Sequence, residues 1–146
     1  MGKAKFSIKA RRASHTKTVI ESRDFKLIID EPEHMGGTDE GPNPVEYLAA
    51  ALAGCLNVTG HMVANEMGIK IENLEFEVEG ELDPRGFMGK ANNVRPGYSQ
   101  MNIKVNVETD ADNETLNKWL DIVEKRCPVS DNIQNTTPIN LSIIKK

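Results

Sequence analysis

Cysteine is scarce in this 146-residue chain, with only Cys55 and Cys127 present, far apart and in no C-x-x-C spacing. That count excludes zinc fingers built on four thiolates. Positive charge is not in excess either, since 18 Lys and Arg stand against 22 Asp and Glu for a net charge of -4. A mildly acidic chain lacks the basic face that phosphate binding requires, so no nucleic-acid partner is expected. No apolar run is read as approaching membrane-span length, so no membrane partner is expected. No apolar signal core follows Met1-Gly2-Lys3-Ala4-Lys5, which makes a reducing cytoplasm the expected location. In that compartment two distant cysteines are either inert core thiols or a pair that meets in space and cycles between dithiol and disulfide.

What is present is the balance of an ordinary globular protein, 38% hydrophobic and 27% charged. The length suits a single domain, 1–146, with a core that needs no metal or disulfide.

The chain is organised around the stretch from Gly41 to Thr59. Asn43 is an N-cap residue, Pro44 suits the first helical position, and Glu46 stands where a capping-box carboxylate reaches back. An Ala-rich run follows, with Val45, Leu48, Leu52, Leu56, Thr59 and Val63 recurring at three- and four-residue steps as one apolar stripe. The helix is expected to end near Met67, where Gly68 is a natural stop. Cys55 borders the stripe, a position that partly screens a thiol while leaving it open to a small molecule. The small residues Ala49, Ala50, Ala51, Ala53 and Gly54 permit close approach of another backbone.

Before this helix, alternation at Phe6, Ile8 and Ala10, then Thr18–Ile20 and Phe25–Ile29, reads as three short strands in a meander. A turning segment from Asp30 to Pro42 carries Pro32 and Gly36-Gly37. After the helix, Ile69, Ile71, Leu74, Phe76, Val78, Gly80 and Leu82 alternate with glutamates, and Met101, Ile103, Val105 and Val107 form the next strand across a long connection. The two are expected to pair antiparallel. Asp112 or Asn113 caps a second helix with apolar positions Leu116, Leu120, Ile122 and Val123, broken at Cys127-Pro128. Ile139, Leu141 and Ile143 read as a last strand. The order β-β-β-α-β-β-α-β describes an α+β domain with two main helices packed on a largely antiparallel sheet.

Asn43-Pro44-Val45-Glu46-Tyr47-Leu48-Ala49-Ala50-Ala51-Leu52-Ala53-Gly54-Cys55, followed by Cys127-Pro128-Val129-Ser130, resembles the OsmC and organic hydroperoxide resistance superfamily. The resemblance extends along nearly the whole chain through the order of elements. It implies a cysteine-based reductase of organic hydroperoxides, with Cys55 as the peroxidatic thiolate and Cys127 as the resolving thiol of an intramolecular disulfide. It also implies an external dithiol reductant, with dihydrolipoyl proteins serving the hydroperoxide branch, no cofactor or metal, and an intertwined homodimer with active sites at the subunit boundary.

A thiolate at neutral pH needs a nearby cation, and the family takes an arginine from the amino-terminal meander. Arg12 is the choice here, with Arg11 and Arg23 as the other candidates. In the hydroperoxide branch the arginine-binding glutamate directly follows the Asn-Pro pair, a place held here by Val45. Glu46 stands nine residues before Cys55, which is the opposite side of an ideal helix, so it reads both as a cap and as a candidate catalytic partner.

Among weaker candidates, His61 reads as a partly buried or interface histidine, and His15 and His34 as turn residues. Met62, Met67 and Met88 read as core filling or an apolar pocket lining, and Arg126 as a cation beside Cys127. Two other functions remain open at this point, a redox sensor or thiol-exchange protein using the same pair, and a non-enzymatic dimeric domain that binds a small molecule.

Overall fold

A computed structural model describes residues 2–146. The chain divides into two compact units, one ending at Leu48 and the other spanning Ala49–Lys146.

The amino-terminal unit holds the meander. Strands β1 (Lys9–Arg12), β2 (Thr18–Ser22) and β3 (Phe25–Ile29) pair antiparallel in the order β1-β2-β3. The first strand starts later than its alternation suggested. Phe6 and Ile8 precede it and are exposed, because alternation alone does not create a strand where no neighbour accepts its backbone hydrogen bonds. The segment after β3 is ordered around Asp30, whose side chain is fully buried. Its carboxylate accepts from the Thr38 hydroxyl at 2.7 Å and from the backbone N–H groups of Glu31 (2.8 Å), Glu40 (3.2 Å) and Thr38 (3.3 Å). These bonds, the Thr38 hydroxyl foremost, hold its pKa far below the ordinary carboxylate range against the opposing effect of burial. Helix α1 (Pro44–Met67) begins in this unit with the expected capping box. The Glu46 N–H donates to Asn43 Oδ1 at 2.9 Å, and the Asn43 N–H donates to Glu46 Oε2 at 2.8 Å.

In the second unit α1 runs on to its expected end. Gly68 has φ +70°, its N–H reaches the Asn65 carbonyl at 3.3 Å, and the Ile69 N–H reaches the Ala64 carbonyl at 2.9 Å, the bond pair of a Schellman stop. Strands β4 (Ile71–Glu81) and β5 (Gln100–Thr109) pair antiparallel. A bulge between Ile71 and Asn73 shifts the register by one residue. This is the physical reason that the inward residues change from odd numbers at Ile69 and Ile71 to even numbers at Leu74, Phe76 and Val78. Between the strands lies a single turn of helix, α2 (Pro84–Phe87), N-capped by Asp83. Helix α3 (Asn113–Arg126) is capped by Asp112, whose side chain accepts from the Thr115 N–H at 2.7 Å. A short helix absent from the sequence reading, α4 (Pro128–Gln134), follows directly.

Leu52, Leu56, Val63 and Ala64 of α1 form one buried cluster with Trp119, Val123 and Cys127, and Leu74, Phe76, Val78, Met101 and Val105 of the sheet pack against it. Three expectations about apolar faces need correction. Leu48 is 41% exposed and leaves the α1 stripe. In α3 the buried residues are Trp119 and Val123, whereas Leu120 and Ile122 are more than a third exposed. The inward stripe is Leu116-Trp119-Val123-Cys127, set by the large indole, and Leu120 and Ile122 lie off it. The last strand is not formed. Ile139, Leu141 and Ile143 are 81%, 91% and 95% exposed, and 136–146 contain no helix or strand. Among the described residues no sheet edge pairs with this segment, and an unpaired extended segment has no ladder to join.

The expected lack of a long apolar run is also corrected. By length and composition α1 could cross a membrane, with 24 residues and a mean hydropathy of 1.3 over its most apolar window. Its alanines add to that mean alongside its leucines and valines. A third of the window is buried within the chain, on the face that carries Leu52, Leu56 and Val63.

Candidate functional site

Cys55 and Cys127 meet. Their sulfur atoms lie 2.8 Å apart, with the Cys127 thiol donating to Cys55 Sγ, and both cysteines are free thiols. Cys55 comes from the middle of α1, on the border of the buried stripe, and is partly exposed. Cys127 has no exposed surface. Closing 2.8 Å to a disulfide bond of about 2.05 Å takes a movement of about 0.8 Å.

Local sequence explains how Cys127 is presented. The residue before a proline avoids the helical region, so Cys127 adopts an extended backbone (φ -73°, ψ 112°) and ends α3, while Pro128 takes the first position of α4. The Cys127 N–H still bonds the Val123 carbonyl at 3.0 Å, and its own carbonyl accepts from the Asp131 N–H at 3.0 Å. Cys127 is thus the C-cap of one helix and the N-cap of the next, and its sulfur accepts from the Ser130 N–H at 3.4 Å. Burial, reinforced by the hydrogen bond to Cys55, pushes the Cys127 thiol pKa up, and the Ser130 N–H only partly offsets this. A thiol so placed keeps its proton, remains a donor to Cys55, and is reachable mainly through Cys55.

The arrangement is held from behind by two contacts between α1 and α3 that sequence reading missed. The Trp119 indole N–H donates to the Gly60 carbonyl at 2.8 Å. The Arg126 guanidinium forms a forked pair with Glu66, at 2.6 Å and 3.1 Å, and its second nitrogen lies 3.9 Å from Met62 Sδ. The pairing raises the Arg126 pKa and lowers that of Glu66, chiefly through the side-chain hydrogen bonds. Arg126, read from sequence as a cation beside Cys127, directs its charge to Glu66. A signal for the first contact was present in the four-residue steps Trp119, Val123, Cys127. No local signal announced the second, because Glu66 and Arg126 belong to different helices.

Arg12 is an exposed residue of β1, paired with Thr18 across the meander, and Arg11 pairs with Val19. Arg23 occupies the β2–β3 turn with φ 54° and stacks its guanidinium on the Phe25 ring, 5.0 Å from the centroid. Glu46 is exposed and closes the α1 capping box. His61 is exposed rather than partly buried, because it falls outside the arc of α1 that holds Thr59, Gly60, Val63 and Ala64. Met67 packs on the core, while Met62 and Met88 are nearly half exposed.

Comparisons with known proteins agree with this architecture. Residues 37–142 match the family model described as OsmC-like protein. The hydroperoxide reductase of Mycoplasma pneumoniae is 23% identical over 143 residues, covering 95% of this chain and 94% of that protein. The organic hydroperoxide resistance protein OhrB of Bacillus subtilis is 24% identical over 141 residues, covering 96% of each. The crystal structure of an OsmC-like protein from Mycoplasma pneumoniae superposes with a TM-score of 0.79 at 23% identity, over 90% of this chain and 88% of the other. With its helical Cys55, its later Cys127 and a match over most of its length, this chain belongs to the OsmC-like protein family.

Proposed function

We propose that this protein is a thiol-dependent hydroperoxide reductase. The observation that carries the reading is the 2.8 Å separation of a partly exposed sulfur and a fully buried one. Relatives named hydroperoxide reductase and organic hydroperoxide resistance protein support the substrate class.

In this reading the Cys55 thiolate attacks one oxygen of the peroxide. The O–O bond breaks, the departing alkoxide takes a proton and leaves as an alcohol, and Cys55 becomes a sulfenic acid. Cys127 then attacks the Cys55 sulfur, an S–S bond forms, and the sulfenic oxygen departs as water. An external dithiol, with a dihydrolipoyl protein as the candidate, reduces the bridge and becomes a disulfide itself. The exposure difference supports the division of roles, because the attacking thiol must meet substrate and the resolving thiol need only meet its neighbour. Arg12 is proposed as the cation that keeps Cys55 ionised, and Glu46 as its helix-side partner as well as the cap, both on the family resemblance. A homodimer in a reducing cytoplasm completes the reading.

The same sulfur geometry also serves a redox sensor or thiol-exchange protein, which differs in speed. One experiment tests both. The reduced protein is treated with one equivalent of cumene hydroperoxide and its thiols are mapped by mass spectrometry, followed by turnover with excess peroxide and a dithiol. A Cys55–Cys127 bridge that disappears in Cys55→Ser, with rapid turnover, supports the reductase. The bridge with sluggish turnover moves the assignment to sensing. Absence of the bridge, or turnover undiminished in Cys55→Ser, overturns the reading.

A further inference from the structure

The adjacent residues Arg126 and Cys127 reach α1 at two separate places. Cys127 meets Cys55, and Arg126 meets Glu66. Those two α1 residues are eleven positions apart, about 16 Å along the helix axis. A single contact would fix the distance of the α3–α4 corner from α1 and leave it free to pivot. Two contacts so widely spaced fix its rotation as well. The forked geometry adds direction, because a planar guanidinium with both oxygens of one carboxylate has one favoured orientation.

The pair is a poor investment as a global stabiliser. Its side chains are 40% and 52% exposed, and half-exposed ion pairs contribute little to stability. What the forked pair does constrain is the residue next to a reacting thiol. Elsewhere in α3 the Trp119–Gly60 bond sets the crossing with α1, but it lies two turns before Cys127, and the chain leaves helical geometry at Cys127 itself. The forked pair adds a directional polar constraint, beside the apolar packing of Cys127, at the end that carries the sulfur.

We propose that Glu66 and Arg126 are positioning residues for the dithiol, a forked clamp that holds Cys127 Sγ against Cys55 Sγ and thereby raises the effective concentration of one thiol toward the other. This rests on the reading of Cys55 and Cys127 as a working pair, but it makes no use of peroxide chemistry. Both residues act through the sulfur they position and touch no substrate.

The test is the equilibrium between dithiol and disulfide in glutathione buffers, where one oxidised glutathione becomes two reduced molecules for each bridge formed. The wild type, Glu66→Gln, Arg126→Gln and the double variant are compared, with thermal unfolding followed in parallel. Each single variant is expected to lower the equilibrium constant about two- to fivefold, about 9 to 21 mV for a two-electron couple. The double variant is expected to lose no more than either single one, since both remove the same interaction. In the wild type, about 1 M NaCl is expected to reproduce the loss by screening, a measurement that stands even if a variant fails to fold. Constants that match the wild type, or losses that add in the double variant, overturn the clamp. A wild type that turns over no peroxide yet shows the clamp effect removes the reductase reading and leaves the clamp in place.

Discussion

The indole N–H of Trp119 donates to the Gly60 carbonyl at 2.8 Å, and the indole Cζ2 lies 3.1 Å from where a Cβ on residue 60 would stand. A Cβ at residue 60 would press on the indole by a few tenths of an ångström, at the crossing of α1 and α3 that brings Cys127 to Cys55. Gly60→Ala sets this crowding of the indole against about 1 kcal/mol of helix propensity gained, so its net effect on stability is expected to stay within about 1 kcal/mol. Trp119→Phe is expected to cost about 1 kcal/mol for the lost hydrogen bond, plus the volume of the missing ring. Urea unfolding measures both. The yield of the Cys55–Cys127 bridge in a glutathione buffer should fall in Gly60→Ala, because the misfit is at the helix crossing.

Asp30 gives the amino-terminal unit an acid-sensitive element. Its carboxyl has a folded pKa well below the unfolded value of about 3.9. Its contribution to stability is fully present above that unfolded value and is lost as pH falls toward the folded pKa. Asp30→Asn should therefore be less stable than wild type at neutral pH, and the gap should narrow steadily below about pH 4. Unfolding midpoints across pH 2–7 check this, and a constant gap would remove the assignment.

Ile139, Leu141, Ile143 and Ile144 are each more than four-fifths exposed. If the proposed homodimer forms, these side chains are expected to be covered by the partner copy. Replacing Leu141 and Ile143 with Ser should leave the monomer core intact, since neither residue is part of it, while shifting the protein from dimer to monomer in sedimentation velocity. A wild type that sediments as a monomer at micromolar concentration rejects the dimer.

Arg12 and Glu46 separate activation from capping. Arg12→Ala should slow peroxide consumption at neutral pH about 10–100-fold. Arg12→Lys should recover part of the rate by keeping the charge without the planar fork. Glu46→Gln retains a capping side chain, so a fall in rate there without loss of stability reports a catalytic role, whereas an unchanged rate leaves Glu46 as a cap. Stopped-flow thiol oxidation across pH 6–9 reads all three.

Much of the architecture was local and therefore legible. Asn43, Pro44, Glu46 and Gly68 specify both ends of α1 through backbone chemistry within a few residues, and the observed helix spans Pro44–Met67. The alternation of β4 and β5 announced a sheet with one wet face, because side chains along a strand point alternately to its two sides. Where the same alternation appeared without a partner, at Phe6 and Ile8 and again from Ile139 to Ile143, no strand formed, since pairing is a property of two segments and a sequence displays one at a time. The α3 stripe was misread for a related reason. Leu120 and Ile122 are as apolar as Val123, and only the packing of Trp119 over Gly60 decides which arc of the helix turns inward.

By itself the sequence determined the long capped helix, the α+β content, the family pattern in Asn43–Cys55 and Cys127–Ser130, and the break at Pro128 that takes Cys127 out of its helix. The tertiary structure alone decided that two thiols distant along the chain stand 2.8 Å apart, that one is sealed and the other open, and that Glu66 and Arg126 brace the corner between them. Caps and periodicities act within a few residues of themselves, whereas distance, burial and electrostatic environment arise only when separate elements are packed together.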